Sequence, residues 1–275
     1  MSIIAISRGT FSGGEALAKR VAERLQYRCL SRERNLESAA QRYMVPAEEL
    51  TAAMQKRPTF WERMVGERAA YLAFVRAALC EEARGERLVY HGYLGQFLLP
   101  GISHVISVRA IADADFRIRA AQQQQDLARE DALAYIEKAD KERRDWTRFL
   151  FEVDWDDAHL YDLVLNLSRM SLNAACETVV QLTEQDEFKP NPASLKAMED
   201  LTLHSQVAAA LAMDFRTRGA DLRVTADDGI VTVTGRSRWP EVADAVPVVV
   251  RRVAGVKAVK CEITGISPPS PLTWY

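Results

Sequence analysis

The chain has 275 residues, of which 48% are hydrophobic and 27% charged, the balance of a globular protein with material for one large domain or two ordinary ones. That composition excludes a wholly disordered or collagen-like chain, and 36 Lys and Arg against 38 Asp and Glu, a net charge of −2, leave no marked positive excess toward nucleic acid. Cys29, Cys80, Cys176 and Cys261 are far apart with no C-x-x-C pair. They read as buried or free thiols of a reducing compartment. No run reaches the ~18 apolar residues of a membrane span. The opening residues lack the basic region of a signal peptide, so a cytoplasmic location is expected.

In chain order, Ser2 to Ser7 is short, β-branched and apolar, as a buried parallel strand is. Gly9 to Gly14 breaks it, and Leu17, Val21 and Leu25 then step by four along a helix. Helical stretches follow around Leu36 to Arg42 and after Pro46. The longest helix is expected from about Phe60 to Arg84, with Trp61, Met64, Val65, Leu72, Val75 and Leu79 on one face and Gly85 as its stop. Arg87 to Tyr90 predicts a strand, His91-Gly92 a turn, and Tyr93 to Leu99 a short helix. His104 to Val108 predicts another strand, followed by helices over Ala112–Gln125 and Glu130–Phe151. Tyr161 to Leu167 and Asn173 to Leu182 close a series of strand–helix units, the pattern of a parallel sheet.

Composition shifts at Thr183 to Ser194, which is polar and contains Pro190 and Pro192. The division expected is a first domain over 1–182, a linker over 183–198, a second domain over 199–265 and a Pro-rich tail over 266–275. In the second domain Leu203, Val207 and Leu211 mark a helix, and Asp227-Asp228-Gly229 turns a hairpin between alternating valines. A helix near Pro240–Val253 and the strand Val259, Cys261, Ile263 complete an αββαβ order. The fold class is α/β with a small α+β module behind it.

The residues Gly9-Thr10-Phe11-Ser12-Gly13-Gly14 fit the first half of the phosphate loop G-x-x-x-x-G-K-[ST]. Glycines let the backbone aim amides at an anion, helped by the positive end of the helix. The lysine and hydroxyl positions carry Glu15 and Ala16 instead. A plain glycine turn with Glu15 as a favourable first-turn acid is the competing reading. Lys19, one turn on, suits an i,i+4 pair with Glu15.

Ser7-Arg8, Ser12-Gly13-Gly14, the stretch Leu88 to Tyr93, Gln96 to Pro100, Asp140-Lys141-Glu142-Arg143 and Tyr161 to Arg169 together resemble the cytidylate-kinase-like family of P-loop kinases over about residues 1–182. The resemblance implies ATP and Mg²⁺ as cofactors and puts the phosphate loop on Arg8, Gly9, Thr10, Phe11, Ser12, Gly13, Gly14, Glu15 and Ala16. It implies a lid helix over Asp140 to Arg148, with Arg143 and Arg144 as phosphoryl-clamping candidates. A solvated charged helix face is the alternative for that run. It implies acceptor binding at Gly92 and Tyr93, where the family has a Gly-Arg pair, with Arg117 a further candidate. Arg8, Lys19, Arg117 and Arg119 are the cations available to replace the missing ones. Tyrosine donates one neutral hydrogen bond and neutralises no phosphate. Losing such charges costs ~10³-fold or more in phosphoryl transfer, so weak or absent activity is expected.

The histidines His91, His104, His159 and His204 show no ligand spacing, and the acidic run Asp154, Asp156, Asp157 reads as a solvated loop, so no metal site is expected. Asp228 to Gly235 and Val253-Ala254-Gly255-Val256 resemble the BON domain over about 200–264. That resemblance implies an interaction module for a phospholipid surface or protein partner, with Arg236, Arg238, Arg251, Arg252, Lys257 and Lys260 as its cations. The function expected is a nucleotide- or phosphate-binding sensor or scaffold. An active kinase for a CMP- or dCMP-like acceptor, and a BON-mediated binder with a purely structural kinase-like part, are the alternatives.

Overall fold

The β-branched opening run forms β1 (Ile3–Arg8), buried from Ile3 through Ser7. The computed structural model describes residues 1–53, 61–85, 87–93 and 95–265. It joins β1 to β2 (Arg28–Ser31), β3 (Leu88–Gly92), β4 (Val105–Ile111) and β5 (Leu163–Asn166). The sheet order is β2-β3-β1-β4-β5, and all four pairings are parallel. β1 is therefore central, which is why its side chains are apolar on both faces. The flanking helices are α1 (Gly14–Leu25), α2 (Arg32–Tyr43), α3 (Ala47–Ala53), the end of α4 (Trp61–Ala83) from residue 78 on, α5 (Gly95–Leu98), α6 (Ala114–Gln125), α7 (Arg129–Phe151) and α8 (Leu172–Thr183). Leu17 and Val21 of α1 and Ala175 and Val179 of α8 pack with Ile4, Ile6, Val89 and Val108 in one core.

Three local readings differ from expectation. β2 has no counterpart in the predicted elements. Its four residues are exposed or half-buried at the sheet edge, so no apolar run announces it. His91 and Gly92 extend β3 rather than turning, because Ile6 and Ser7 of β1 pair with them. The polar stretch after α8 holds a 3₁₀ turn over Asp186–Phe188 and the start of α9 (Pro192–Met213). Its residues are tied to the parallel sheet: Ser2 Oγ donates to the Phe188 carbonyl at 2.7 Å, and His104 Nδ1 lies 2.8 Å from Ser194 Oγ.

The chain divides into two compact units, built from residues 1–53 with 78–198 and from 61–77 with 199–265. The second unit holds β6 (Asp221–Asp227), β7 (Ile230–Ser237), α10 (Glu241–Val250) and β8 (Ala258–Gly265), in the sheet order β6-β7-β8. β6 and β7 are antiparallel, β7 and β8 parallel. The hairpin turns on Asp228 (φ 46°) and Gly229 (φ 79°), both left-handed as a two-residue primed turn requires. Leu203, Val207, Leu211, Val224, Val231, Val233, Val242 and Val246 form its core, with Val259 and Ile263 packed against it. The expected Pro-rich tail and the side chains of Trp61, Met64 and Val65 lie outside the described residues. Among those residues no helix is long and apolar enough to cross a membrane.

Candidate functional site

After Arg8 the chain turns through Gly9–Gly13 into α1. Two positions of the turn are left-handed, Phe11 at φ 57° and Gly13 at φ 82°. Glycine adopts that conformation freely, whereas Phe11 gives up roughly 1–2 kcal/mol to do so. Gly13 caps α1 without any side-chain hydrogen bond. The first-turn amides are thus left to another acceptor, with the positive end of the helix dipole behind them. Ser12 is buried, and its Oγ has no hydrogen-bond partner among the described residues.

The loop is braced from behind. Thr10 Oγ1 donates to Asp140 Oδ1 at 2.9 Å, and Arg117 Nε donates to the Thr10 carbonyl at 2.7 Å. Arg117 Nη2 also meets Asp140 Oδ2 at 2.5 Å. Arg117 therefore spends its fork on the loop and Asp140. Glu15 pairs with Lys19 at 2.8 Å. Its hydrogen bond from Lys19 holds the carboxyl below its ordinary pKa, and Glu15 in turn raises Lys19. Ala16 offers only a methyl group.

Parallel pairing brings one row of residues to the same edge of the sheet. Ser7 lies between Gly92 on one side and Arg109 on the other, and Ser31, next to Arg32, pairs with His91. Arg32 is buried because Gly92 makes room: a Cβ at position 92 would stand 2.7 Å from the Arg32 Cβ. The Arg32 guanidinium lies 4.5 Å from the centroid of the Tyr93 ring, and that of Arg143 lies 5.5 Å from it. Arg109 stacks 3.6 Å over Trp155 and donates to Asp156 Oδ1 at 3.0 Å. Trp155 is fixed by its own Nε1 donating to Ser7 Oγ at 3.0 Å. Glu33 Oε1 is 3.6 Å from Arg8 and 3.8 Å from Arg32. Burial lowers the pKa of Arg143, and the Arg8 and Arg32 charges press the same way against Tyr93 and Asp140. Burial, then Arg8, pushes His91 down to about 4, so this histidine is neutral.

The sequence-expected residues fall into three groups. Arg8, Arg143 and Tyr93 meet in this cluster, with Arg143 Nη1 3.4 Å from the Arg8 carbonyl. Gly9 to Ala16 form the adjoining loop, braced by Arg117. Arg144 is half-exposed at the edge of the cluster, 3.4 Å from the Asp156 carboxylate that Arg109 also meets. Asp154 faces Arg148 at 3.5 Å and Asp157 faces His159 at 2.8 Å. Among the described residues no group of His, Cys, Asp and Glu has the arrangement of a metal site. Arg32, Arg109, Trp155 and Asp140 are the members that sequence reading missed as site residues. Arg109 and Arg32 carried a positional signal: each lies at the carboxyl end of a strand, where ligands of open α/β sheets bind. For Arg32 that signal was hidden with β2.

A parallel sheet with a glycine loop after its central strand and arginines at the same edge is the architecture of a P-loop kinase-like protein. The model of the cytidylate kinase-like family matches residues 3–169, and the chain belongs to that family. A BON domain matches residues 199–265. No curated protein matches the sequence. Among solved structures, an uncharacterized protein from Eubacterium ventriosum ATCC 27560 is 22% identical, with 67% of this chain and 99% of that chain covered and a TM-score of 0.49. A shikimate kinase from Bacteroides thetaiotaomicron is 15% identical, covering 67% of this chain and 99% of that chain at a TM-score of 0.43. A shikimate kinase from Acinetobacter baumannii in complex with shikimate is 10% identical, covering 69% and 96% at 0.40.

Proposed function

We propose that the kinase-like unit binds a nucleotide or another phosphate ligand with weak or no phosphoryl transfer, and that the BON unit attaches it to a partner, as a sensor or scaffold does. The observation that carries this reading is the pair Glu15 and Ala16 at the start of α1. The uncapped helix and the Ser12 hydroxyl, which has no partner among the described residues, suit an anion, but Glu15 is engaged with Lys19 and the next residue has no side-chain oxygen. The residues present do not fit magnesium as a working phosphate loop holds it, so the loop's contribution is anion binding through its amides. In the BON unit, Phe215 and Trp239 are 76% and 69% exposed beside Arg216 and Arg218. That surface, with the exposed Arg236, Arg238, Arg251, Arg252 and Lys260, supports attachment to a phospholipid surface or protein partner. Lys257 is held by Asp228 at 2.7 Å.

A second reading, an active kinase for a CMP-like acceptor, is favoured by one observation: Arg32 brings a cation to the Tyr93 position from a different element. Titration with ATP, CMP and dCMP, with and without magnesium, followed by a turnover assay, separates the two. Binding with turnover far below the ~1–100 per second of ordinary kinases is expected. Turnover within that range overturns the proposal in favour of the second reading.

A further inference from the structure

β8 is the last strand of its sheet, and among the described residues it pairs with β7 alone. The pairing is parallel and unbroken from Ala258 to Gly265, with no bulge and no proline in the strand. Ala258 donates its N–H to the Gly229 carbonyl at 3.3 Å, which puts residues 258, 260, 262 and 264 on the ladder with β7. The N–H and C=O groups of Val259, Cys261 and Ile263 therefore point to the open side. A long, regular edge of this kind is a template for another strand, and folded proteins normally blunt it.

The side chains divide by face. Val259, Cys261 and Ile263 pack against the core, and Cys261 Sγ lies 3.8 Å from the Ala243 carbonyl of α10. Ala258, Lys260, Glu262 and Thr264 are exposed on the other face. Turned antiparallel about a two-fold axis at Cys261, a second β8 meets this edge with its own open groups. Cys261 then faces Cys261, and Val259 faces Ile263 in both directions, all as hydrogen-bonded pairs. Lys260 stands opposite Glu262 of the second copy, and Glu262 opposite its Lys260. Both are non-hydrogen-bonded pairs, in which side chains approach most closely. Shifting the axis by one residue sets Lys260 against Lys260 or Glu262 against Glu262. The edge thus specifies its own register. β6, the opposite edge, is worse matched: pairing along its whole length opposes Asp221 to Asp227, and a register that avoids this leaves Asp221 and Leu222 unpaired.

We propose that a second copy of this chain adds to the β8 edge, joining two three-stranded sheets into one through an antiparallel β8–β8 pair centred on Cys261. The partner is a copy because the complement of this edge is the edge itself. Backbone groups, apolar pairs and charges all match when the strand is turned onto its own sequence. The contact is a strand rather than a face, so the dimer is expected to be reversible and concentration-dependent. It owes nothing to phosphate binding or to the surface around Phe215 and Trp239, and either can fail without it.

The test is sedimentation of the full chain from micromolar to millimolar concentration, with a reductant so that no disulfide forms. A reversible monomer–dimer equilibrium is expected. Lys260→Glu opposes acid to acid at both pairs, and Glu262→Lys opposes base to base, so each is expected to weaken the dimer about fivefold or more. Mixing the two variants restores opposite charges at both pairs, and a heterodimer at least as strong as the wild-type dimer is expected. A merely structural role for either residue gives no such recovery. Cys261→Pro removes an outward N–H without touching the β7 ladder and is expected to abolish the dimer. Should that variant fail to fold, as circular dichroism would show, the charge variants carry the comparison, since both positions are exposed. A monomer at every concentration, a dimer that the charge variants leave unchanged, or a loss that mixing does not recover overturns the pairing.

Discussion

His91 ends up neutral in a row of cations. It is buried at the end of β3, its Nδ1 has no hydrogen-bond partner among the described residues, and Arg8, Glu15, Glu33 and Lys19 are the charges that act on it. Burial first and Arg8 second lower its pKa to about 4, whereas an unfolded chain takes up that proton near ~6.5. Between those values the unfolded state binds more protons, so this contribution to stability is complete above about pH 6.5 and is lost as the pH falls toward about 4. His91→Gln is expected to flatten that part of the stability–pH curve, measured by urea midpoints from pH 7 to pH 4. An equally steep acid limb in the variant rules out His91 as its source. Single residues were only partly legible in the sequence. Arg8, Arg143 and Tyr93 stood in motifs that pointed to the site. Arg109 lay just past the predicted strand of His104 to Val108, and Trp155 in what read as an acidic loop. Both gain meaning only when parallel register brings Ser7 beside Arg109 and gives Trp155 its hydrogen bond.

The elements themselves were mostly written in periodicity. A buried central strand needs apolar residues on both faces, and helices packed on one side need a step of three or four, so β1, α1, α7 and the β6–β7 hairpin were readable. Edge strands escape that logic. β2 has one covered side and four residues, none fully buried, and missing it concealed the start of α2 and with it Arg32. At α1 the sequence and structure agree on an unusual beginning: a glycine cap with no side-chain bond, then an acid where a phosphate loop has its lysine. The double variant Glu15→Lys, Ala16→Thr restores both missing groups. A charge-assisted hydrogen bond contributes ~1.5–3 kcal/mol, so ATP is expected to bind about tenfold tighter or more, with a small loss of stability from the broken Glu15–Lys19 pair. Calorimetry of ATP with magnesium is the measurement. No gain in affinity means that the loop does not meet phosphate in this protein.

At the scale of the whole chain, two cores lie on separate lengths of sequence with one exception. The αββαβ unit buries Leu203, Val207, Leu211, Val224, Val231, Val233, Val242 and Val246 together, all from beyond residue 198. Residues 61–77 of α4 nevertheless belong with this unit rather than with the parallel sheet. Arg76 is among the charges that act on the half-buried His204 of α9. Nothing in the sequence announces that crossing, because an apolar helix face does not say which sheet it covers. A unit of this size buries a modest share of its surface and is only marginally stable, so the missing helix counts. Residues 192–265 expressed alone are expected to fold, giving dispersed amide resonances, but to melt below the corresponding transition of the full chain. Adding a peptide of residues 61–77 in trans is expected to recover part of that difference. Binding to anionic vesicles or a partner should remain with the fragment, and phosphate or nucleotide binding should be absent from it. An unfolded fragment that the peptide does not rescue would show that the core around Val231 cannot stand by itself. Phosphate bound by the fragment would move the anion site away from β1 and β4.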